Sequence, residues 1–367
     1  MTERRVPFLS LTPGDDARDV RDAIERVVAR GWFVLGPEVE AFETEFAAAS
    51  GATYAIGVGT GTDAIALALR ALGIGAGDEV VTTPLSAAYS ALAIMMTGAR
   101  PVFADIDPQR LTIDPSAIAA AIGPRTRALL PVHLYGQPAA MREIERLAAR
   151  HNLAIVEDCC QAHLARENGR PVGTIGAAGA FSFYPTKNLG ALGDGGAIVT
   201  NDASLAARLK RLRNGGQTDR YRHVEPGVNS RLDEMQAAVL RARLPRLRRW
   251  TERRRELAAR YRDVLSGASV TVPPELDPGH VYHLFVVRST ARAELQAHLA
   301  SHGIGTLIHY PIPIPRQPAV AATDPAECPV AAQVCDEILS LPLHPALRDE
   351  DVDAVAAALK GHDACVH

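Results

Sequence analysis

The chain carries three lysines against 36 arginines, and one of those lysines stands where a primary amine can do chemistry. Lys187 lies in the run Phe181-Ser182-Phe183-Tyr184-Pro185-Thr186-Lys187-Asn188, and four glycines (190, 193, 195, 196) follow it closely. Arginine neither forms a Schiff base nor readily loses its proton, so a sequence that otherwise favours arginine retains lysine either by chance or for its amine. An aromatic strand before Lys187 and a glycine-rich loop after it would partly desolvate the amine, lowering its pKa and making it nucleophilic. A solvated loop lysine is the plainer reading. The scarcity of lysine and the aromatic flank weigh against it. Lys210 and Lys360 sit in ordinary amphipathic helix patterns.

Two other groups have chemical potential. Ile155-Val156-Glu157-Asp158-Cys159-Cys160-Gln161 ends an apolar strand on an acid pair. In a parallel sheet, ligands bind outside the carboxyl ends of strands, so an acid there points toward a crevice. A helix cap or a solvated loop is the alternative. Gly57-Val58-Gly59-Thr60-Gly61-Thr62-Asp63-Ala64 joins a strand to a helix. Free N–H groups at a helix start, approached closely at glycines, make an anion cradle. The loop lacks the Gly-Lys-Ser/Thr of a nucleoside-triphosphate loop. It formally matches a dinucleotide fingerprint, but the next strand ends Val81-Thr82-Thr83-Pro84 without the acid that would hold a ribose. A mononucleotide-sized phosphate fits better than NAD, and a plain structural turn also stays open. A phosphate cradle, a strand-end carboxylate and an activated lysine together match the needs of pyridoxal 5'-phosphate.

The elements that must position these groups follow from periodicity. Helices are predicted near 17–30, after Gly36-Pro37, and over 61–72, 87–97, 115–122 and 139–151. Strands are predicted over 54–59, 79–83, 101–106, 128–133, 154–159, 178–183 and 196–200. This alternation implies a large, doubly wound, mainly parallel sheet covered by helices on both faces. A helical region from Arg231 to about Leu265, divided by Pro245, leads to a different texture: strand 283–288, helix 291–302, extended 304–309, and helices 329–339 and 349–360. The expected division is a large domain over 1–245 and a smaller C-terminal α+β domain over 246–367.

Composition narrows the class. Apolar residues are 47% and charged residues 22% of 367, which excludes a disordered, collagen-like or coiled-coil chain. A net charge of −3 offers no global field for nucleic acid or an anionic membrane. The low-charge stretch Ser86–Ala99 has 14 residues, too few to span a bilayer. The N-terminal sequence lacks the apolar run of a signal peptide. Five cysteines (159, 160, 328, 335, 365) contain no C-x-x-C pair and read as reduced thiols of a cytoplasmic protein. No group reads as a metal site.

Several of these motifs recur in one order in a known family. Gly31-Trp32-Phe33-Val34-Leu35-Gly36-Pro37, Gly61-Thr62-Asp63-Ala64, Pro131-Val132-His133-Leu134-Tyr135-Gly136, Glu157-Asp158 with Gln161, Ser182 with Lys187-Asn188, Gly227-Val228-Asn229-Ser230-Arg231-Leu232-Asp233-Glu234 and His309-Tyr310-Pro311 span nearly the whole chain. In these it resembles the DegT/DnrJ/EryC1/StrS aminotransferases, fold-type I enzymes that use pyridoxal phosphate to aminate nucleotide-linked keto sugars. The resemblance implies that Lys187 bonds the cofactor covalently, Asp158 pairs with its ring nitrogen, and Gln161 lies near its ring hydroxyl. Gly61, Thr62, Asp63 and Ser182 would bind the phosphate. Asn229 would reach it from the second subunit of a homodimer whose subunits share their active sites. L-Glutamate, or glutamine, would be the amino donor.

There are departures from the family pattern. Where the family usually stacks an aromatic residue on the cofactor, this chain has Ala87, and Tyr89 is the candidate substitute. Where relatives often carry a histidine in a later loop, it has Pro315-Arg316. His309, Tyr310 and Arg316 are candidate substrate contacts, and Arg220 and Arg222 could meet a diphosphate. The alternatives on this fold are a sugar dehydratase, a cyclitol aminotransferase and a non-catalytic regulatory relative. The dehydrating branch replaces the lysine with histidine, which Lys187 argues against.

Overall fold

A computed structural model describes residues 5–320 and 327–366, the last four of these through their backbone only. Seven strands form the main sheet: β1 (Tyr54–Val58), β2 (Glu79–Thr82), β3 (Arg100–Phe103), β4 (Thr126–Leu130), β5 (Ala154–Asp158), β6 (Ala178–Ser182) and β7 (Gly196–Thr200). Their spatial order is β1-β7-β6-β5-β4-β2-β3. Pairing is parallel from β3 through β2, β4 and β5 to β6, and β7 runs antiparallel to both β6 and β1.

Helices α1 (Ala17–Arg30) and α2 (Pro37–Ser50) precede the sheet, and α3 (Gly61–Ala71), α4 (Tyr89–Met96), α5 (Pro115–Ala121) and α6 (Met141–His151) connect its strands. α7 (Ala203–Leu212) follows it. Successive strand residues point to opposite faces, and here both faces are covered. Ile56, Val80, Leu130 and Val156 pack with α3. Their chain neighbours face other helices: Ala55 packs with Phe42 and Phe46 of α2, and Val81, Leu129 and Ile155 pack with Ile118 and Ile144 of α5 and α6. Such strands read as continuous apolar runs, so the chemistry is left to their ends.

Beyond the sheet come α8 (Glu234–Arg243) and α9 (Leu247–Val264), with Pro245 in a 3-10 turn between them. Leu247 at the start of α9 packs with α2 and β6, whereas Leu257, Ala258 and Tyr261 belong to a second core. That core surrounds an antiparallel pair, β8 (Phe285–Arg288) and β9 (Ile338–Leu341), with α10 (Arg292–Ser301) and α12 (Asp349–Val366). α11 (Pro329–Glu337) runs directly into β9.

Two expectations differ from this structure. The helix expected over 329–339 stops at Glu337, because Ile338–Leu341 pairs with Phe285–Arg288 and cross-strand pairing outweighs local preference. The extended segment expected over 304–309 forms only isolated bridges, Ile304 to Val6 and Leu307 to Ser340. Cys159, Cys160, Cys328 and Cys335 are free thiols, and the Cys365 side chain lies outside the described residues. Among the described residues no helix is long and apolar enough to cross a membrane.

Candidate active site

The site gathers at the carboxyl ends of β5 and β6, against the start of α3. Thr60 caps α3 by accepting the Asp63 N–H at 3.0 Å. Ser230 Oγ accepts the Gly59 N–H at 2.9 Å and donates to Asp63 Oδ2 at 2.8 Å. The N–H groups of Gly61 and Thr62, the first two of the helix, find no acceptor among the described residues. A Cβ at position 61 would lie 2.7 Å from Ser182 Cβ and 2.8 Å from Cys160 Sγ, so only glycine lets α3 start against the end of β6. Free N–H groups beside the Ser182 hydroxyl make a cradle for a phosphate.

Asp158 ends β5, 5% exposed. Its backbone is fixed by pairing beyond β4: Asp158 N–H donates to Pro131 O at 2.9 Å, and His133 N–H to Asp158 O at 3.0 Å. Its Oδ1 accepts the Cys160 N–H at 3.1 Å, and its Oδ2 accepts the Ser90 hydroxyl at 2.7 Å. Among the described residues it forms no salt bridge, which leaves the carboxylate available to a cationic ligand.

Lys187 follows β6 in a turn closed by its own N–H to Tyr184 O at 2.8 Å. Its amine makes no hydrogen bond or ion pair among the described residues. Desolvation holds the ammonium below the usual lysine range, and the Cys160 and Asp158 charges act in the opposite direction. The flanking chain is held tightly. Asn188 Nδ2 donates to Val281 O at 3.1 Å, its Oδ1 lies 3.2 Å from His283 Nδ1, and Arg243 donates to Gly190 O at 2.6 Å.

Three histidines feel the charge of this amine. Burial, with the Lys187 charge second, pushes His163 down to about 3 and His309 down to about 4, and holds His283 well below its ordinary value. All three are therefore neutral at pH 7.

Of the residues expected in the site, Gln161 and Tyr310 are brought to it but already engaged with each other. Gln161 Oε1 accepts the Tyr135 N–H at 2.7 Å, and its amide donates to the Tyr310 hydroxyl at 3.0 Å. One amide N–H of Gln161 remains for a ligand. Burial pushes the Tyr310 phenol up to about 12, so it stays protonated. His309 stacks on Phe8, and its Nδ1 lies 2.9 Å from Ser340 Oγ.

Other expected residues lie further out. Tyr89 opens α4, 64% exposed, next to the buried Ser90. Asn229 bridges to Asn214, one residue before the Ser230 that touches Asp63. Arg220 and Arg222 are exposed on the hairpin of residues 217–223. Arg316 is exposed in a 3-10 turn, where its charge acts on Cys335.

Ser90, Cys160 and His283 were not anticipated. Cys160 was the most discoverable of them, standing two residues after Asp158. Nothing in local spacing marks Ser90 or His283.

One cluster has the composition of a metal site. Donor atoms of His133, Glu157 and Cys159 lie within 4.8 Å of one another. They are committed elsewhere. Glu157 accepts N–H bonds from Gly173, Ile175 and Gly176, each at 2.8 Å. His133 Nδ1 accepts the Ala139 N–H at 3.0 Å, so Nε2 carries the proton and donates to Glu157. Burial keeps the Cys159 thiol protonated.

Comparison with known proteins agrees with this geometry. The model of the DegT/DnrJ/EryC1/StrS aminotransferase family matches residues 15–360. The chain is 51% identical to a dTDP-3-amino-3,4,6-trideoxy-alpha-D-glucose transaminase of Streptomyces venezuelae, covering 94% of this chain and 92% of the relative. It is 43% identical to a UDP-N-acetyl-3-dehydro-alpha-D-glucosamine 3-aminotransferase of Acidithiobacillus ferrooxidans, covering 93% of each. Among solved structures, S. venezuelae DesV in complex with a ketimine intermediate superposes with a TM-score of 0.94 at 49% identity, covering 97% of this chain and 98% of that one.

Proposed function

We propose that this chain, which belongs to the DegT/DnrJ/EryC1/StrS aminotransferase family, moves an amino group from L-glutamate to the 3-ketone of a nucleotide-linked sugar, using pyridoxal 5'-phosphate. Position 3 is supported by two relatives whose names place the nitrogen there on different nucleotides and different sugars. Glutamine is the second candidate donor.

The residues present fit the cofactor. Gly61 and Thr62 offer unpaired N–H groups and Ser182 a hydroxyl for its phosphate, with Asp63 holding the cradle through Ser230. Asp158 offers a buried carboxylate for its ring nitrogen, Gln161 an N–H for its ring hydroxyl, and Lys187 an unpaired amine for its aldehyde. Tyr89 is the candidate to cover the ring, and Asn229 to approach the phosphate from a second copy of the chain in a homodimer.

When bound, pyridoxal phosphate supplies an aldehyde that takes up nitrogen covalently and a ring that accepts the electron pair of a broken C–H bond. Asp158 keeps a proton on the ring nitrogen, because an ionised carboxylate stabilises an adjacent cation. Lys187 Nζ would take the proton from the donor's α-carbon as general base and, as general acid, give it to the carbon that the aldehyde supplies. Its lowered pKa favours the neutral, basic form needed for the first step.

The observation that carries this reading is the desolvated Lys187 amine, unpaired among the described residues, which feels the charge of the buried Asp158 carboxylate, while Ser182 and Cys160 pack against Gly61 at the start of α3. The test runs the reaction backwards. Reconstituted protein is mixed with 2-oxoglutarate and dTDP- or UDP-linked amino sugars bearing nitrogen at position 3 or at position 4, and products are read by mass spectrometry. Conversion of 3-amino sugars to ketones supports the proposal. Conversion of 4-amino sugars alone refutes position 3, and loss of water without C–N exchange refutes transamination.

A further inference from the structure

We propose that Ser90 is a positioning residue for the cofactor, acting through Asp158; this rests on the pyridoxal phosphate reading above. The Ser90 hydroxyl donates to Asp158 Oδ2 at 2.7 Å, across 68 positions of sequence, and both residues are buried. Serine in the first turn of a helix commonly turns back on its own backbone. Ser90 does not: it lies in the first turn of α4, whose start has no side-chain cap, and its hydroxyl reaches out to β5 instead.

Asp158 depends on this bond. A buried carboxylate stays ionised only when hydrogen bonds or a cation compensate for lost water. The Asp158 carboxylate accepts the Cys160 N–H on Oδ1 and the Ser90 hydroxyl on Oδ2, the Cys160 thiol also bonds to it, and among the described residues it has no salt bridge. The Cys160 N–H and the Ser90 hydroxyl sit on different oxygens. They therefore fix the rotation of the carboxylate, while each oxygen keeps a further lone pair for a ring N–H. Ser90 belongs to α4 and Cys160 to the turn after β5, so Asp158 is held from two elements.

The test compares two ligands of one site. Pyridoxal 5'-phosphate and its 1-deaza analogue share the aldehyde and phosphate, but the analogue has carbon where the ring nitrogen stands and gives Asp158 nothing to bind. Dissociation constants for both are measured by absorbance on the full chain carrying Ser90→Ala or Ser90→Thr. In Ser90→Ala, affinity for pyridoxal phosphate falls about tenfold, as expected for one lost hydrogen bond to a charged group, and affinity for the analogue stays within about twofold. Ser90→Thr keeps the hydroxyl and the wild-type ratio of the two constants. The inference is overturned if Ser90→Ala weakens both ligands equally, which is general damage, or neither. It is equally overturned if Ser90→Thr changes the ratio as Ser90→Ala does. Wild-type protein that binds neither ligand overturns the cofactor reading itself.

Discussion

Glu157 and Asp158 are consecutive on β5 and hold opposite sides of it: Asp158 Oδ2 lies 2.7 Å from Ser90 Oγ, and Glu157 Oε2 lies 3.0 Å from His133 Nε2. Alternation along a strand forces this division. One carboxylate is left open to chemistry, while its neighbour is fully occupied in pinning the segment of residues 173–176 and the loop after β4 beneath it.

The pinning role makes a prediction about stability. Glu157→Gln replaces an acceptor of four hydrogen bonds with a group whose amide N–H₂ faces donors. Urea unfolding should show a loss of about 2–3 kcal/mol, the scale of hydrogen bonds to a buried charge. A change below about 0.5 kcal/mol, the range of ordinary surface substitutions, would contradict it.

Asp158 makes the opposite prediction. Asp158→Asn preserves shape: its oxygen can still accept the Cys160 N–H, and its amide can donate to the Ser90 hydroxyl, which accepts as well as donates, so the folded protein should persist. Turnover should fall by about 10²–10⁴-fold, the usual scale for losing a group that controls a proton, because a neutral amide does not hold a proton on the ring nitrogen. Steady-state kinetics beside a urea curve separates the two effects. Near-normal turnover would remove Asp158 from the mechanism.

The asymmetry between these acids was only half visible in the sequence. The strands of the parallel sheet announce themselves as apolar runs, and Asp158 and Lys187 stand where those runs stop, so the sheet, the acid and the amine were legible. β9 was not. Ile338–Leu341 follows α11 with no glycine or proline to mark a boundary, and only pairing with Phe285–Arg288 makes it a strand. Ser90 was invisible for a related reason: its meaning lies in a hydrogen bond to a residue 68 positions away. Gln161 and Tyr310 were named separately, and the fold joins them at 3.0 Å.

The histidines around Lys187 predict a pH dependence. Burial holds His163 at about 3 and His309 at about 4, against an ordinary value of 6.5. Below pH 6.5 the unfolded chain takes up protons that the folded chain refuses, so stability falls as pH drops and levels off only near pH 3–4. Each such histidine contributes up to about 1.4 kcal/mol per pH unit in that window. His163 packs between Phe181 and Phe183, so His163→Phe suits its surroundings. Thermal unfolding of the cofactor-free protein between pH 7 and 4 should show a shallower decline for His163→Phe than for wild type. Parallel curves would contradict the assignment.

The central claim is a covalent bond between Lys187 and the cofactor aldehyde, and reductive trapping tests it most directly. Protein saturated with pyridoxal 5'-phosphate is treated with borohydride, digested, and sequenced by tandem mass spectrometry. The account predicts a single pyridoxyl mass on Lys187 and none on the Lys187→Ala variant. A label on Lys210 or Lys360 instead, or no label at saturation, would contradict it.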